Sequence, residues 1–212
     1  MNKNELIKRA KAGDYYERPT LVYEKHLHWL WDYVATLGEG KMVEAGCARG
    51  GCLAVCHASN PKLNIIGLDS WEPMPEINPE KDDASKCNPW VGTLTCGKIT
   101  DVKKNYNILG ADDTNLTLLK GWIEDTIPAN IELFNDLDIL RIDTDHYNSV
   151  KLCLEYLYPK LKKGGLVIFD DWYFNPKGVQ GAAHDYFQSI DMPMPSYSEH
   201  TPSFGPTYFF KP

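Results

Sequence analysis

Apolar residues fall along this chain in two rhythms. Short runs, Lys41-Met-Val-Glu44-Ala45, Asn64-Ile-Ile-Gly-Leu-Asp69, Leu116-Thr-Leu-Leu119, Asp138 to Ile142 and Leu166-Val-Ile-Phe169, have the length and composition of buried parallel strands. Between them apolar positions recur at helical spacing. Leu27, Leu30, Val34 and Leu37 predict a helix over 22–37, ended by Gly38 and Gly40. Further helices are predicted from near Cys52, over 101–109, over 149–161 up to Lys163-Gly164-Gly165, and over 179–190. Residues 2–12 read as a short charged helix, broken at Pro19-Thr20. The tail carries prolines at 193, 195, 202 and 206 and ends in a closing strand, Thr207-Tyr-Phe-Phe210. Strands alternating with helices imply a doubly wound parallel α/β sheet with helices on both faces and antiparallel strands added near the end.

Residues 71–97 break this pattern. Pro73, Pro75, Pro79 and Pro89, the acidic stretch Glu80-Lys-Asp-Asp83 and the isolated Trp71 and Trp90 show no periodicity. A long irregular segment inside a domain is commonly a lid or binding loop. Trp90 and Leu94 are costly to leave in water, so a lid is expected rather than disorder.

Composition narrows the class. At 212 residues the chain suits one domain, 1–212, with an N-terminal helical segment over 1–37. Apolar residues make up 43% and charged residues 24%, enough for a real core. The net charge is −7 with no Lys/Arg cluster, which argues against nucleic acid and anionic membrane partners. The six cysteines form no Cys-x-x-Cys pair, so a structural zinc is not expected and a reducing compartment is. The charged N-terminus lacks a signal core, and no apolar run approaches the roughly 20 residues that span a bilayer. A cytoplasmic protein is expected, with a small molecule rather than nucleic acid or membrane as partner and a homo-oligomer left open.

Chemistry is concentrated where two apolar runs end in aspartates, at Asp143-Thr-Asp145-His146 and at Asp170-Asp171. Ligands of open α/β sheets sit beyond the carboxyl ends of the strands. If the two strands are neighbours, Asp143, Asp170 and Asp171 converge and repel unless a cation lies between them. A hard divalent metal site is therefore expected, the alternative being a strand end with a capping or surface acid. The turn Gly46-Cys-Ala-Arg49-Gly50-Gly51 lets a ligand meet the backbone and a helix N-terminus. Asp69, ending the next strand, is placed to take both hydroxyls of a ribose. The turn fits neither Gly-x-Gly-x-x-Gly nor a phosphate-binding loop, and Arg49 is unusual in a pyrophosphate cradle. Glu44 repels a diphosphate but suits a cationic amino-acid end. These features favour S-adenosylmethionine over a dinucleotide; a Gly-rich turn with no ligand is the bland alternative.

Several motifs then come in a specific order. They are Glu44-Ala-Gly46-Cys-Ala-Arg49-Gly50-Gly51, Asp69-Ser70-Trp71, Lys120-Gly121-Trp122-Ile-Glu-Asp125, Leu140-Arg141-Ile-Asp143-Thr-Asp145-His-Tyr147-Asn-Ser149, Tyr158-Pro159-Lys160-Leu161, Gly164-Gly165, Asp170-Asp171 and Ala182-Ala-His184-Asp185-Tyr186. From about Pro19 onward the chain resembles the macrocin O-methyltransferase (TylF/MycF) family, which methylates sugar hydroxyls on macrolides and related products. The resemblance implies a Rossmann-like class I methyltransferase fold, S-adenosylmethionine as donor and Mg²⁺ held by Asp143, Asp170 and Asp171. It places Thr20, Glu44, Gly46, Arg49, Gly50, Asp69, Ser70, Gly121 and Trp122 at the cofactor, and makes Asp143 a candidate base. The chain departs from the family at His146, where a bulky apolar residue is usual, and in Cys87-Asn-Pro-Trp90-Val-Gly-Thr-Leu-Thr-Cys96, which does not align.

Methyl transfer needs a hydroxyl brought to the methyl carbon and stripped of its proton, and a divalent ion serves both ends. A vicinal diol of a sugar or catechol suits such an ion. His146 is a second candidate base, because related catechol methyltransferases carry a lysine three residues after the first metal aspartate; a helix-start histidine is the alternative. Asp145 reads as an N-cap for the next helix, or as an acid beside the ligands. Trp122 either stacks on adenine or fills the core, His184 packs on its helix, and His26, His28, His57 and His200 form no constellation. Two other functions compete. Asp143-Thr-Asp145 has the Asp-x-Asp form of a metal-dependent glycosyltransferase, and a non-catalytic ligand-binding relative would keep the same fold.

Overall fold

The structure is a computed structural model and describes residues 1–15, 17–93, 97–199 and 206–212. Leu94, Cys96, His200 and Pro202 lie outside the described residues. In chain order, α1 (Lys3–Ala10) and α2 (Glu24–Thr36) precede β1 (Lys41–Ala45), α3 (Gly51–Ser59) and β2 (Asn64–Asp69). Then come α4 (Ala84–Cys87), α5 (Ile99–Leu109), β3 (Leu116–Lys120), α6 (Ile123–Ala129), β4 (Leu137–Ile142), α7 (Tyr147–Leu157) and β5 (Leu161–Phe169). A π-helical turn over Pro176–Gln180 leads into α8 (Gly181–Ser189), and β6 (Ser198–Glu199) and β7 (Thr207–Phe210) close the chain.

The sheet order is β3-β2-β1-β4-β5-β7-β6. The first five strands are parallel, and β7 pairs antiparallel with both β5 and β6. The order reverses between β1 and β4, and such a switch point opens a crevice at the strand ends. Side chains alternate across the sheet. Val43, Leu68, Leu140, Val167 and Phe169 face a core shared with α6, α7 and α8, while Met42, Ile65, Ile139, Leu166 and Ile168 face one shared with α1, α2, α3 and α5.

Several boundaries differ from the expectation, most of all at the helix expected over 149–161, which is α7 over Tyr147–Leu157, so that Leu161 falls in a strand. β5 begins at Leu161, not Leu166, because Leu161 pairs with Leu137 of β4 and the tail pairs with the glycines: Gly164 N donates to Lys211 O (2.8 Å) and Lys211 N to Gly165 O (2.8 Å). The segment after Trp71 also has structure of its own, α4 and a 3₁₀ turn over Asn88–Trp90. Among the described residues no helix is long and apolar enough to cross a membrane.

Candidate active site

Strand alternation puts Glu44, Arg141, Asp143 and Asp170 on one face. Glu44 and Arg141 are register partners, and Asp143 N and Asp170 N extend the ladder by donating to Ala45 O (2.8 Å) and Ile142 O (3.0 Å). Gly46 allows this convergence. Its φ is 83°, and a Cβ there would stand 1.8 Å from Asp143 O. One carboxylate oxygen from each of Asp143, Asp170 and Asp171 lies within 4.8 Å of the other two.

A protein cation lies behind them. Arg141, 0% exposed, is paired with Glu44, with Asp143 Oδ2 (2.7 Å) and with Asp170 Oδ1 (2.5 Å). The expectation that only a metal relieves these acids is therefore corrected in part: Arg141 answers Glu44, Asp143 and Asp170 and leaves Asp171 unanswered. The signal was present in Leu140-Arg141-Ile142, a charge inside an apolar strand two residues before an acid, which must be paired to be buried.

Burial shifts the acids upward. Glu44 is pushed up to about 7 and Asp170 to about 6, burial outweighing the pull of Arg141. Asp145 rises to about 7 through burial and then the charge of Asp143. Burial and the neighbouring acids lift Asp171 well above the carboxylate range. Asp171 Oδ2 and Glu44 Oε2 are buried without a hydrogen-bond partner. Three close carboxylates with an unanswered oxygen fit a hard divalent ion, and Glu44 Oε2 fits a cationic group.

These shifts have a signed consequence. Carboxylates whose folded pKa exceeds the unfolded value contribute most below the unfolded pKa, and that stability is lost as pH rises through the folded one. Metal-free protein is expected to melt about 5 °C higher at pH 6 than at pH 8, through about 1–3 kcal/mol from Glu44, Asp145 and Asp170. Mg²⁺ is expected to raise the melting temperature more at pH 8, because protons compete for the same oxygens. Differential scanning fluorimetry at both pH values, with Mg²⁺ and with EDTA, checks both; equal melting curves would refute them.

The first loop and Asp69 are tied together. Asp69 Oδ2 accepts from Ala48 N (2.8 Å), its Oδ1 accepts from Trp71 N (2.8 Å), and Trp71 Nε1 donates to Ala48 O (2.8 Å). Trp71 is thus a buried brace between the two loops, a role its isolated place in the sequence did not signal. The N-terminal segment crosses the turn, with Gly51 N donating to Pro19 O (3.1 Å).

One cavity of about 960 Å³ joins these parts. Of the expected site residues, Thr20, Glu44, Gly46, Arg49, Asp69, Asp143, Asp170 and Asp171 line it. Gly50, Ser70, Gly121, Trp122 and His146 are not among its lining residues. Trp122 is the N-cap residue before α6 and is 36% exposed, and Gly121 N donates to Asp69 O (3.0 Å). His146 is 4% exposed, its Nε2 lacks a partner, and burial lowers its pKa. Asp145 lines the cavity and does not cap α7; that N-terminus is capped from afar by Asp82. His184 is exposed. Met74, Lys86 and Trp90 form a further wall, as do Lys11, Tyr15 and Arg18 from the N-terminal segment.

This is the fold of the class I methyltransferases. The chain superimposes on the solved O-methyltransferase NovP with a TM-score of 0.78 and 22% identity, covering 99% of this chain and 88% of that one. With the calicheamicin methyltransferase CalS11 the TM-score is 0.70 at 22% identity, over 87% of this chain and 77% of that one. The model of the macrocin-O-methyltransferase (TylF) family matches residues 17–198, and the chain belongs to that family. It is 32% identical to the 8-demethyl-8-(2,3-dimethoxy-alpha-L-rhamnosyl)-tetracenomycin-C 4'-O-methyltransferase of Streptomyces olivaceus, over 69% of this chain and 58% of the relative. It is 29% identical to the mycinamicin III 3''-O-methyltransferase of Micromonospora griseorubida, over 69% of this chain and 60% of the relative. The matched region thus spans less than two thirds of these relatives' length.

Proposed function

We propose that the protein is an S-adenosylmethionine-dependent, divalent-metal-dependent O-methyltransferase acting on a small molecule. Its acceptor hydroxyl is one of a vicinal pair on a sugar or catechol-like ring. The observation that carries this reading is the single cavity running from the Gly46–Gly51 turn and Asp69 to the three clustered aspartates. Family membership supports it, as do two relatives that are by name a 4'-O-methyltransferase of a dimethoxy-rhamnosyl tetracenomycin and the mycinamicin III 3''-O-methyltransferase.

In this reading Asp143, Asp170 and Asp171 would hold a divalent ion, which would supply Lewis acidity toward the acceptor hydroxyl, and S-adenosylmethionine would supply the methyl group. Glu44 Oε2 receives the cationic amino-acid end of the donor. Asp69, already held by two backbone N–H groups, keeps lone pairs for the ribose. Arg141 holds Asp143 and Asp170 in place from behind. The wall of Met74, Lys86 and Trp90 covers the acceptor and excludes water.

Asp143 takes the hydroxyl proton, because it lines the cavity whereas His146 does not. His146→Ala is expected to leave the pH profile of turnover unchanged; a loss confined to neutral pH would return the role to His146. Calorimetry tests the function itself. Micromolar binding of S-adenosylhomocysteine with none of UDP-glucose supports methyl transfer, and the reverse result identifies an Asp-x-Asp glycosyltransferase. Binding of S-adenosylhomocysteine without turnover of any sugar or catechol diol would leave a non-catalytic relative.

A further inference from the structure

Asp82 sits in the Pro-rich segment, yet it is 1% exposed. Its Oδ1 accepts from Tyr147 N (2.8 Å), the first residue of α7, and from Asn175 Nδ2 (2.8 Å). Its Oδ2 accepts from Asn78 N (3.0 Å). Asn175, 0% exposed, is equally committed: its Oδ1 accepts from Asp83 N (3.0 Å) and Gly178 N (3.1 Å), and its Nδ2 also donates to Asp145 O (2.9 Å). The fit leaves no spare room, since a Cβ on Gly178 would stand 2.2 Å from Asn175 Nδ2 and 2.3 Å from Asp82 Oδ1.

What this cluster grips is strained backbone. His146 N donates to Thr144 O (2.6 Å) across Asp145, whose φ is 60°. That is a γ-turn with a positive central φ, a rare and costly conformation that persists only where its surroundings hold it. The turn carries the carboxyl of Asp145 to the cavity, which Asp171 also lines. The segment that bears Asp82 also bears Lys86 and Trp90 of the cavity wall. Neither Asp82 nor Asn175 lines the cavity.

We propose that Asp82 and Asn175 are positioning residues: a buried latch that holds the acceptor wall over 78–93 in register with the strained acidic turn over 143–146. Residues about 65 apart in sequence then move as one unit. Order in the wall and order in the acid set become the same event, while the donor loop over 44–52 stays outside it. The functional meaning of the latch rests on the methyl-transfer reading; its mechanical content does not.

Hydrogen exchange followed by mass spectrometry tests it on the full chain. Asp82→Ala is expected to raise exchange about tenfold or more both in 78–93 and in 143–147, and to leave 44–52 unchanged. Asn175→Ala is expected to do the same from the other side. Asp82→Asn keeps an acceptor for Tyr147 N and Asn175 Nδ2 and is expected to return most of the protection, including where Asp82→Ala proves too unstable to study. In parallel, calorimetry is expected to show S-adenosylhomocysteine affinity within about twofold of wild type and Mg²⁺ affinity about tenfold weaker in Asp82→Ala. Unchanged protection of 143–147 in Asp82→Ala, or equal exchange in Asp82→Ala and Asp82→Asn, overturns the latch. Absence of methyl transfer or Mg²⁺ binding in the wild type overturns the functional reading instead, and the exchange pattern still decides the latch.

Discussion

Arg141→Met is expected to destabilise the protein by about 3–5 kcal/mol at pH 8, the usual cost of removing one partner from a buried ion network. The side chain is fully buried and faces three carboxylates, two of which have side chains only 24% and 18% exposed. Without the guanidinium those acids must take up protons or expose themselves to water. The penalty is therefore smaller at pH 5 than at pH 8. At about 2–4 °C per kcal/mol for a chain of this size, the melting temperature falls by about 10 °C. Arg141→Lys is expected to recover little, because one ammonium cannot fork between Asp143 and Asp170 while reaching Glu44. Urea unfolding at the two pH values measures this. A loss below about 1 kcal/mol at pH 8 would show that the acids are relieved by something other than Arg141.

Asp143→Asn and Asp170→Asn are each expected to lower methyl transfer by about 10²–10⁴-fold. S-Adenosylhomocysteine affinity should stay within about threefold of wild type, because the donor loop is built on β1 and β2. Both substitutions also disturb Arg141, so Asp171→Asn is the cleaner control: Asp171 takes no part in the Arg141 ion pairs. All three variants losing turnover together, with cofactor binding kept, supports the metal role. Variants that remain active in excess chelator would end it.

The parts of the site visible in the sequence are those encoded by local rhythm. Apolar runs ending in acids located the strand ends, and the two-residue period of a strand was enough to put Asp143 and Asp170 on a shared face once β4 and β5 lay side by side. The turn at 46–51 was marked by its glycines. What stayed hidden depends on contacts between distant residues. Arg141 stood inside a quoted motif, but its importance needs Glu44 on the neighbouring strand. Trp71 looked like an apolar residue adrift in a loop until Ala48 and Asp69 came beside it. Asp145 has the residue type and place of an N-cap, yet Asp82 performs that task from the far side of the sequence. His146 had the right spacing for a base, but the strained turn before α7 leaves it 4% exposed and away from the cavity.

The buried guanidinium also bears on what the loss of the proposed ion would do. A fold knotted around a structural metal falls apart when the metal leaves. Here the fixed positive charge of Arg141 stays on Glu44, Asp143 and Asp170 whether or not an ion is bound. On the proposed metal reading, removing magnesium with a chelator is then expected to stop turnover while leaving the protein folded.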